Sequence, residues 1–189
     1  KEATELKAAI IVTKTKGRES GPNKQNQDTS TPQIQEEVEK EKVALELINQ
    51  GKINEAEKIY RELINRGSKN HICYGNLAAI CWIRKEKAEM IKLLNKALEI
   101  NPNFPEAHNN LGNALKSQGD LKAAITSYRK ALQFNKNYSE AYSNLGIALN
   151  ELGDINAAIK SLQKALQINP DFAVAHFNLA NALHNKGDI

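Results

Sequence analysis

The chain is expected to fold as an all-α solenoid, a stack of helix-turn-helix units, and three observations lead there. The sequence repeats itself with a period of 34 residues, the apolar residues of each period form two stripes at helical spacing, and the composition favours helices. Residues 109–135, NNLGNALKSQGDLKAAITSYRKALQFN, return as SNLGIALNELGDINAAIKSLQKALQIN and again as FNLANALHNKGDI. Aligned without a gap, the units are 37–70, 71–104, 105–138, 139–172 and an incomplete 173–189. Only 5% of residues are aromatic, Val/Ile runs are few, and Ala, Leu, Lys, Asn, Gln and Glu dominate, which argues against a β-sandwich. A hydrophobic share of 41% is enough for a substantial core.

Residues 1–36 precede the repeats. The stretch 17–36, GRESGPNKQNQDTSTPQIQE, has almost no apolar side chains and two prolines, so burial cannot offset its ordering entropy, and it reads as a disordered linker. Residues 1–16 hold one short apolar piece, LKAAIIV, which fits the end of an upstream domain, a docking strand, or no structure at all.

The first helix of each unit is set by places seven, eight and eleven. Place seven is Val43, Leu77, Leu111, Leu145 and Leu179; place eight is Ala44, Ala78, Gly112, Gly146 and Ala180; place eleven is Leu47, Cys81, Leu115, Leu149 and Leu183. This i, i+1, i+4 pattern is one apolar face, large at seven and eleven and thin at eight. A break follows at places fifteen and sixteen, where Gly119-Asp120, Gly153-Asp154 and Gly187-Asp188 suit a left-handed helix end and a carboxylate cap for the next helix. The second helix carries its stripe at place twenty (Ala56, Met90, Ala124, Ala158), place twenty-four (Tyr60, Leu94, Tyr128, Leu162) and place twenty-seven (Leu63, Ala97, Ala131, Ala165). Small residues there let paired helices approach closely. Pro102 and Pro170, both within INP, end the second helix and start the turn into the next unit. The last unit stops after its first helix, leaving the face made by Leu179, Ala182 and Leu183 without its partner. That half unit, and a chain beginning at Lys1, lead to the expectation that this is a piece of a longer protein whose unpaired helix 173–189 could self-associate.

Small residues at places eight, twenty and twenty-seven and proline at thirty-two resemble the tetratricopeptide repeat family. The likeness covers residues 37–189, is cleanest over 105–172, and implies a right-handed solenoid whose first helices line a concave surface that binds protein or peptide partners. The first unit departs most, with Lys40, Glu46 and Ser68 in signature places, as befits a terminal unit with one side facing water.

Other function classes find little support. NNLGNALKSQGD suggests a phosphate loop through Gly112, Lys116, Ser117 and Gly119, but Leu115 stands where a glycine must precede the lysine. Net charge is +4, yet residues 105–172 carry seven Lys/Arg (116, 122, 129, 130, 136, 160, 164) against six Asp/Glu (106, 120, 140, 151, 154, 171), so there is no basic stripe for nucleic acid. The longest apolar run near the start, Ala8–Val12, is far short of a membrane span. Cys73 and Cys81 lie about 12 Å apart along one helix and cannot pair, which with their apolar places suggests a reducing, cytoplasmic setting. The four histidines, at 71, 108, 176 and 184, form no metal-binding spacing, and His108 and His176, both at place four, read as packing residues. No catalytic, metal or cofactor site is expected within these residues.

What remains is the concave face, at places two, five, six, nine, twelve and thirteen. Place six is Asn76, Asn110, Asn144 and Asn178 in four consecutive units, with Lys42 in the first; Asn113 and Asn181 follow at place nine, Asn150 at twelve and Asn109 at five. An asparagine amide offers both a donor and an acceptor, so a row of them can match the backbone of an extended peptide or bond to the neighbouring repeat. This ladder is similar to the one lining the superhelical repeats of the O-linked N-acetylglucosamine transferases, a likeness that implies peptide contact by Asn76, Asn110, Asn144 and Asn178. Two functions follow as alternatives: a non-catalytic scaffold, or the substrate-recruiting arm of a larger transferase whose catalytic domain lies outside this chain. Four rungs at ~1 kcal/mol each give only about millimolar affinity, so further anchors are needed. Trp82, the only tryptophan, stands at a groove-facing twelfth place, where it either stacks on ligand or packs on the first unit. A clamp for a terminal carboxylate, which other members of the family build from Lys/Arg at places two, five and six, is not expected where Glu106, Glu140, Asn109 and Ser143 stand.

Overall fold

A computed structural model describes residues 32–187. Within them the chain forms α1 (Pro32–Asn49), α2 (Ile53–Asn65), α3 (His71–Ile83), α4 (Lys87–Ile100), α5 (Pro105–Ser117), α6 (Leu121–Phe134), α7 (Ser139–Leu152), α8 (Ile155–Ile168) and α9 (Ala173–Lys186), with no strand among the described residues. Each helix packs on its successor, and contacts also join α3 to α5, α5 to α7 and α7 to α9, so the first helices of successive repeats stand side by side. The chain is an all-α solenoid of helix-turn-helix repeats.

Helix α1 begins at Pro32, inside the stretch whose composition reads as linker and ahead of the repeat boundary at 37. Proline suits a first turn, where its missing N–H has no partner to lose. The rest of that stretch, and the LKAAIIV piece, lie outside the described residues.

The repeat seams follow the sequence closely in the third and fourth units. Gly119 and Gly153 adopt φ of 85° and 91°, and Asp120 and Asp154 accept hydrogen bonds from the Ala123 and Ala157 N–H groups at 3.0 and 3.2 Å. In the second unit Lys85 takes the same left-handed turn at φ 62°, a conformation that costs a residue with a Cβ, and Glu86 makes no side-chain cap. Helices α4 and α8 end at Ile100 and Ile168, and Asn101 and Asn169 turn extended just before the prolines.

The core runs the length of the stack. Ala56, Ala97, Ala124, Ala131, Ala158 and Ala165, at the small places, are fully buried, as are Tyr60, Leu94, Tyr128 and Leu162 at place twenty-four. Helix α5 joins its two halves, with Leu111 packed on the first and Leu115 on the second. Gly112 and Gly146 are there for approach: a Cβ on Gly112 would stand 2.5 Å from a Tyr128 ring carbon, and one on Gly146 2.6 Å from Leu162 Cγ.

Two expectations need correction. Val43 at place seven is 43% exposed, because place seven packs on the second helix of the preceding unit and no described helix precedes α1. At the other end Ala182 is fully buried and Leu179 and Leu183 are packed on the core, because α9 turns that face toward α8 and α7. The exposed large apolar side chains of α9 are instead Val174 and Phe177, the latter 67% exposed, and Ala180 at place eight is exposed as well, with no described second helix to pack on it.

A candidate peptide-binding face

The first helices α3, α5, α7 and α9 carry the predicted asparagines, and the structure sorts them. Asn76 is fully buried and donates from Nδ2 to the Tyr60 hydroxyl at 3.1 Å. It therefore contributes no surface, contrary to expectation: α3 is apolar nearly all round, and every residue from Cys73 to Cys81 is buried. Asn110, Asn113, Asn144, Asn150 and Asn178 are half-buried, and Asn181 is exposed.

The half-buried amides are oriented by their protein partners. Asn113 Oδ1 accepts the Tyr128 hydroxyl at 2.8 Å, which turns its NH₂ away as a donor. Asn144 donates from Nδ2 to Asn109 Oδ1 at 3.0 Å, and Asn150 Oδ1 accepts from Asn185 Nδ2 at 3.2 Å. Asn178 donates to its own helix, at the Val174 carbonyl 2.7 Å away. Place five of one unit thus meets place six of the next, and place twelve meets place thirteen, a register repeated by the Lys116–Glu151 ion pair at 3.4 Å. Amide bonds thus tie α5 to α7 and α7 to α9, whereas Asn113 and Asn178 bond within their own repeats.

Tyr60 and Tyr128 are the partners that sequence reasoning missed. A tyrosine at a place otherwise held by leucine must find a mate for its buried hydroxyl, and both find an asparagine. Burial raises both phenol pKa values, so they remain hydroxyls.

Asn110 and Asn113 come together with Trp82 around a recess of about 30 Å³, floored by Ala78, Ala79 and Met90. Trp82 is 37% exposed there. A wider groove of about 1070 Å³ lies on the other helix layer, between α2 and α4, over Ile64, Tyr74, Leu77 and Leu93. None of the predicted asparagines lines it.

Of the histidines at place four, His108 is a packing residue while His176 is exposed, contrary to expectation, because no described helix covers it, and both make the same bond. His108 Nε2 meets the Pro102 carbonyl at 2.9 Å and His176 Nε2 meets that of Pro170 at 2.7 Å, so each ring donates to the turn that leads into its own helix. His108 is buried and stacks on Phe134 at 5.7 Å. Burial lowers its pKa, the Pro102 bond opposes the shift and Lys130 adds to it. Burial lowers that of His71 as well. Below the unfolded value near 6.5 the unfolded chain takes up protons that the folded chain refuses, so stability falls as pH drops through about 6.5. Thermal unfolding between about pH 7.5 and about pH 5 should show this loss. His108→Gln should make it shallower, and an unchanged slope would remove His108 from the account.

Cys81, Glu86 and Glu89 bring ligand atoms within 4.8 Å of one another, a grouping the sequence reading did not anticipate. Arg61 already holds Glu89 through two bonds at 2.7 and 3.3 Å and Glu57 through a third at 2.7 Å. Burial pushes the Cys81 thiol up to about 12. A cation would have to displace the guanidinium and deprotonate that thiol, so the group is read as an ion-pair network. Cys73 is likewise buried and pushed up to about 12. Among the described residues no helix is long and apolar enough to cross a membrane.

A family model described as TPR repeat matches residues 88–119, 112–151 and 148–187. No curated protein matches the chain. Among solved structures, MamA from Desulfovibrio magneticus RS-1 is similar at 18% identity and a TM-score of 0.71, over 80% of this chain and 86% of that one. YrrB, described as a TPR protein with an unusual peptide-binding site, is similar at 19% identity and a TM-score of 0.68, over 82% of this chain and 81% of its own. The first TPR of Spaghetti (RPAP3), solved with the HSP90 peptide SRMEEVD, is similar at 20% identity and a TM-score of 0.61, over 64% of this chain and 95% of its own.

Proposed function

Because the chain belongs to the TPR repeat family, we propose that its repeat domain, residues 37–189, is a non-catalytic scaffold that holds an extended polypeptide against the face lined by its first helices. The observation that carries this is the row of amides on that face, Asn110 and Asn113 on α5, Asn144 and Asn150 on α7, and Asn178 on α9, all half-buried, with Asn113, Asn144, Asn150 and Asn178 each bonded to a neighbouring side chain or backbone group. A primary amide has two N–H donors and a carbonyl with two lone pairs, so one bond within the protein leaves capacity for another to a peptide backbone. Groups already fixed in place cost little to order on binding. Two of the similar proteins bind peptides by their own descriptions, which supports the reading.

A displayed library of random peptides, selected on this protein and measured by calorimetry, tests it. The combined variant Asn110→Ala, Asn144→Ala and Asn178→Ala should keep its helicity and bind the selected peptides about 10- to 100-fold more weakly, from ~1 kcal/mol per lost bond with part of each replaced by water. Equal binding by the variant would remove the amide row from the function.

A further inference from the structure

The face carries a recess beside Trp82. Place nine is Leu45, Asn113, Ile147 and Asn181 in the other repeats but Ala79 in the second, and the missing side chain opens the recess beside Trp82. We propose that this recess takes one short aliphatic side chain, alanine- to valine-sized, from an extended peptide that carries basic residues beside it. The proposal rests on the peptide-binding reading above and names the class of peptide.

Size sets the first half. Holding one water takes roughly 10–15 Å³ of such space, so about 30 Å³ admits about two methyl-sized groups and excludes a leucine or an aromatic ring. The floor of Ala78, Ala79 and Met90 is apolar, while Asn110 and Asn113 stand at its edge where the backbone of the inserted residue would pass. The Tyr128 hydroxyl occupies Asn113 Oδ1, which leaves the Asn113 NH₂ to donate to a peptide carbonyl. Trp82 supplies an apolar wall.

Charge sets the second half. Although the chain as a whole is +4, the face-lining places two, five, six, nine, twelve and thirteen carry Glu41, Glu106, Glu140 and Glu151 against Lys42 and Lys116. Lys116 pairs with Glu151, and Glu41, buried, accepts from Asn70. Glu106 and Glu140 form no ion pair among the described residues, and both lie close enough to Tyr138 to add to the rise that burial gives its phenol pKa. Glu106, Asn110 and Asn113 share one stripe of α5 at i, i+4 and i+7. Glu106 therefore sits about 6 Å from Asn110 along the helix axis. A peptide that crosses α5 at Asn110 therefore passes Glu106 within the span of a lysine or arginine side chain, and alternate residues of an extended strand, about 6.8 Å apart, present such a side chain on the same face as the anchor.

The probe is a blocked peptide, acetyl-Thr-Lys-Thr-X-Thr-Lys-Thr-amide, with X as Gly, Ala, Val, Leu or Phe. Trp82 is the only tryptophan, so its emission reports this recess directly. Ala and Val peptides should shift the emission and bind at least about five-fold more tightly than the Gly, Leu and Phe peptides, a discrimination of the size one methyl or methylene supplies. Two variants separate a subsite from mere packing. Trp82→Ala, followed by calorimetry, should move the optimum from Val toward Leu. Glu106→Gln should weaken all five peptides and flatten their salt dependence. A flat preference at X, or selected peptides that bind through the amide row without moving Trp82 emission, would overturn the subsite while the groove reading stands. No binding by any selected or synthetic peptide would overturn both.

Discussion

Asn76→Ala should lower stability by about 1–3 kcal/mol while leaving peptide capture unchanged, the reverse of what its place in the asparagine row suggests. Asn76 is fully buried and its amide is the partner of the Tyr60 hydroxyl at 3.1 Å, itself fully buried. Removing the amide strands a hydroxyl in the interior, and the cost is the desolvation of that group rather than the modest net worth of one bond. Asn178→Ala should cost far less, because Asn178 is half-buried and its one bond goes to a carbonyl of its own exposed helix turn, where water replaces it. Urea unfolding of the two variants decides between them. The pair Asn76→Ala with Tyr60→Phe supplies the control: deleting both polar partners should recover much of the loss. Equal stability for Asn76→Ala and Asn178→Ala would mean that Tyr60 finds another partner.

The fold was legible because a repeat states its rules several times. Gly119-Asp120 and Gly153-Asp154, alanine at places twenty and twenty-seven, and proline after the second helix each occupy the position the period assigns them. The ends were less legible because place seven and the face of α9 depend on what stacks beside them, as Val43 and Phe177 illustrate. The candidate site was legible only in outline. Periodicity placed asparagine on one helical stripe but could not say which amides the protein itself uses. That depends on cross-repeat neighbours such as Tyr60 for Asn76 and Asn109 for Asn144. The likeness to the transferase arms rests on the asparagines alone, and with Asn76 buried it rests on fewer of them. Trp82 was visible as an exception, but its recess was not, since that space is created by the small Ala79 on its own helix and bounded by Met90 on another.

Gly112→Ala should disturb stability and the binding face together. The new Cβ would stand 2.5, 2.7 and 2.9 Å from three carbons of the Tyr128 ring, closer than real Cβ contacts allow, so either the ring or the α5–α6 pair must move. Overpacking of this kind costs about 1–3 kcal/mol. The first repeat bounds the loss, since Ala44 and Tyr60 occupy the same two places there with both fully buried. A helix pair can therefore accommodate this combination when it is spaced for it, and a cost near the lower figure means that α5 and α6 separate. If instead the ring tilts, the Tyr128 hydroxyl leaves Asn113 Oδ1, now 2.8 Å away, and the Asn113 amide loses its fixed orientation at the edge of the Trp82 recess. Urea unfolding measures the first effect and Trp82 emission the second. Tyr128→Phe tells them apart, because it removes the hydroxyl without adding a Cβ: if its emission matches that of Gly112→Ala, the packing of place eight reaches the binding face through that one bond. A Gly112→Ala variant as stable as the parent would show that the close approach of α5 and α6 is not what place eight requires.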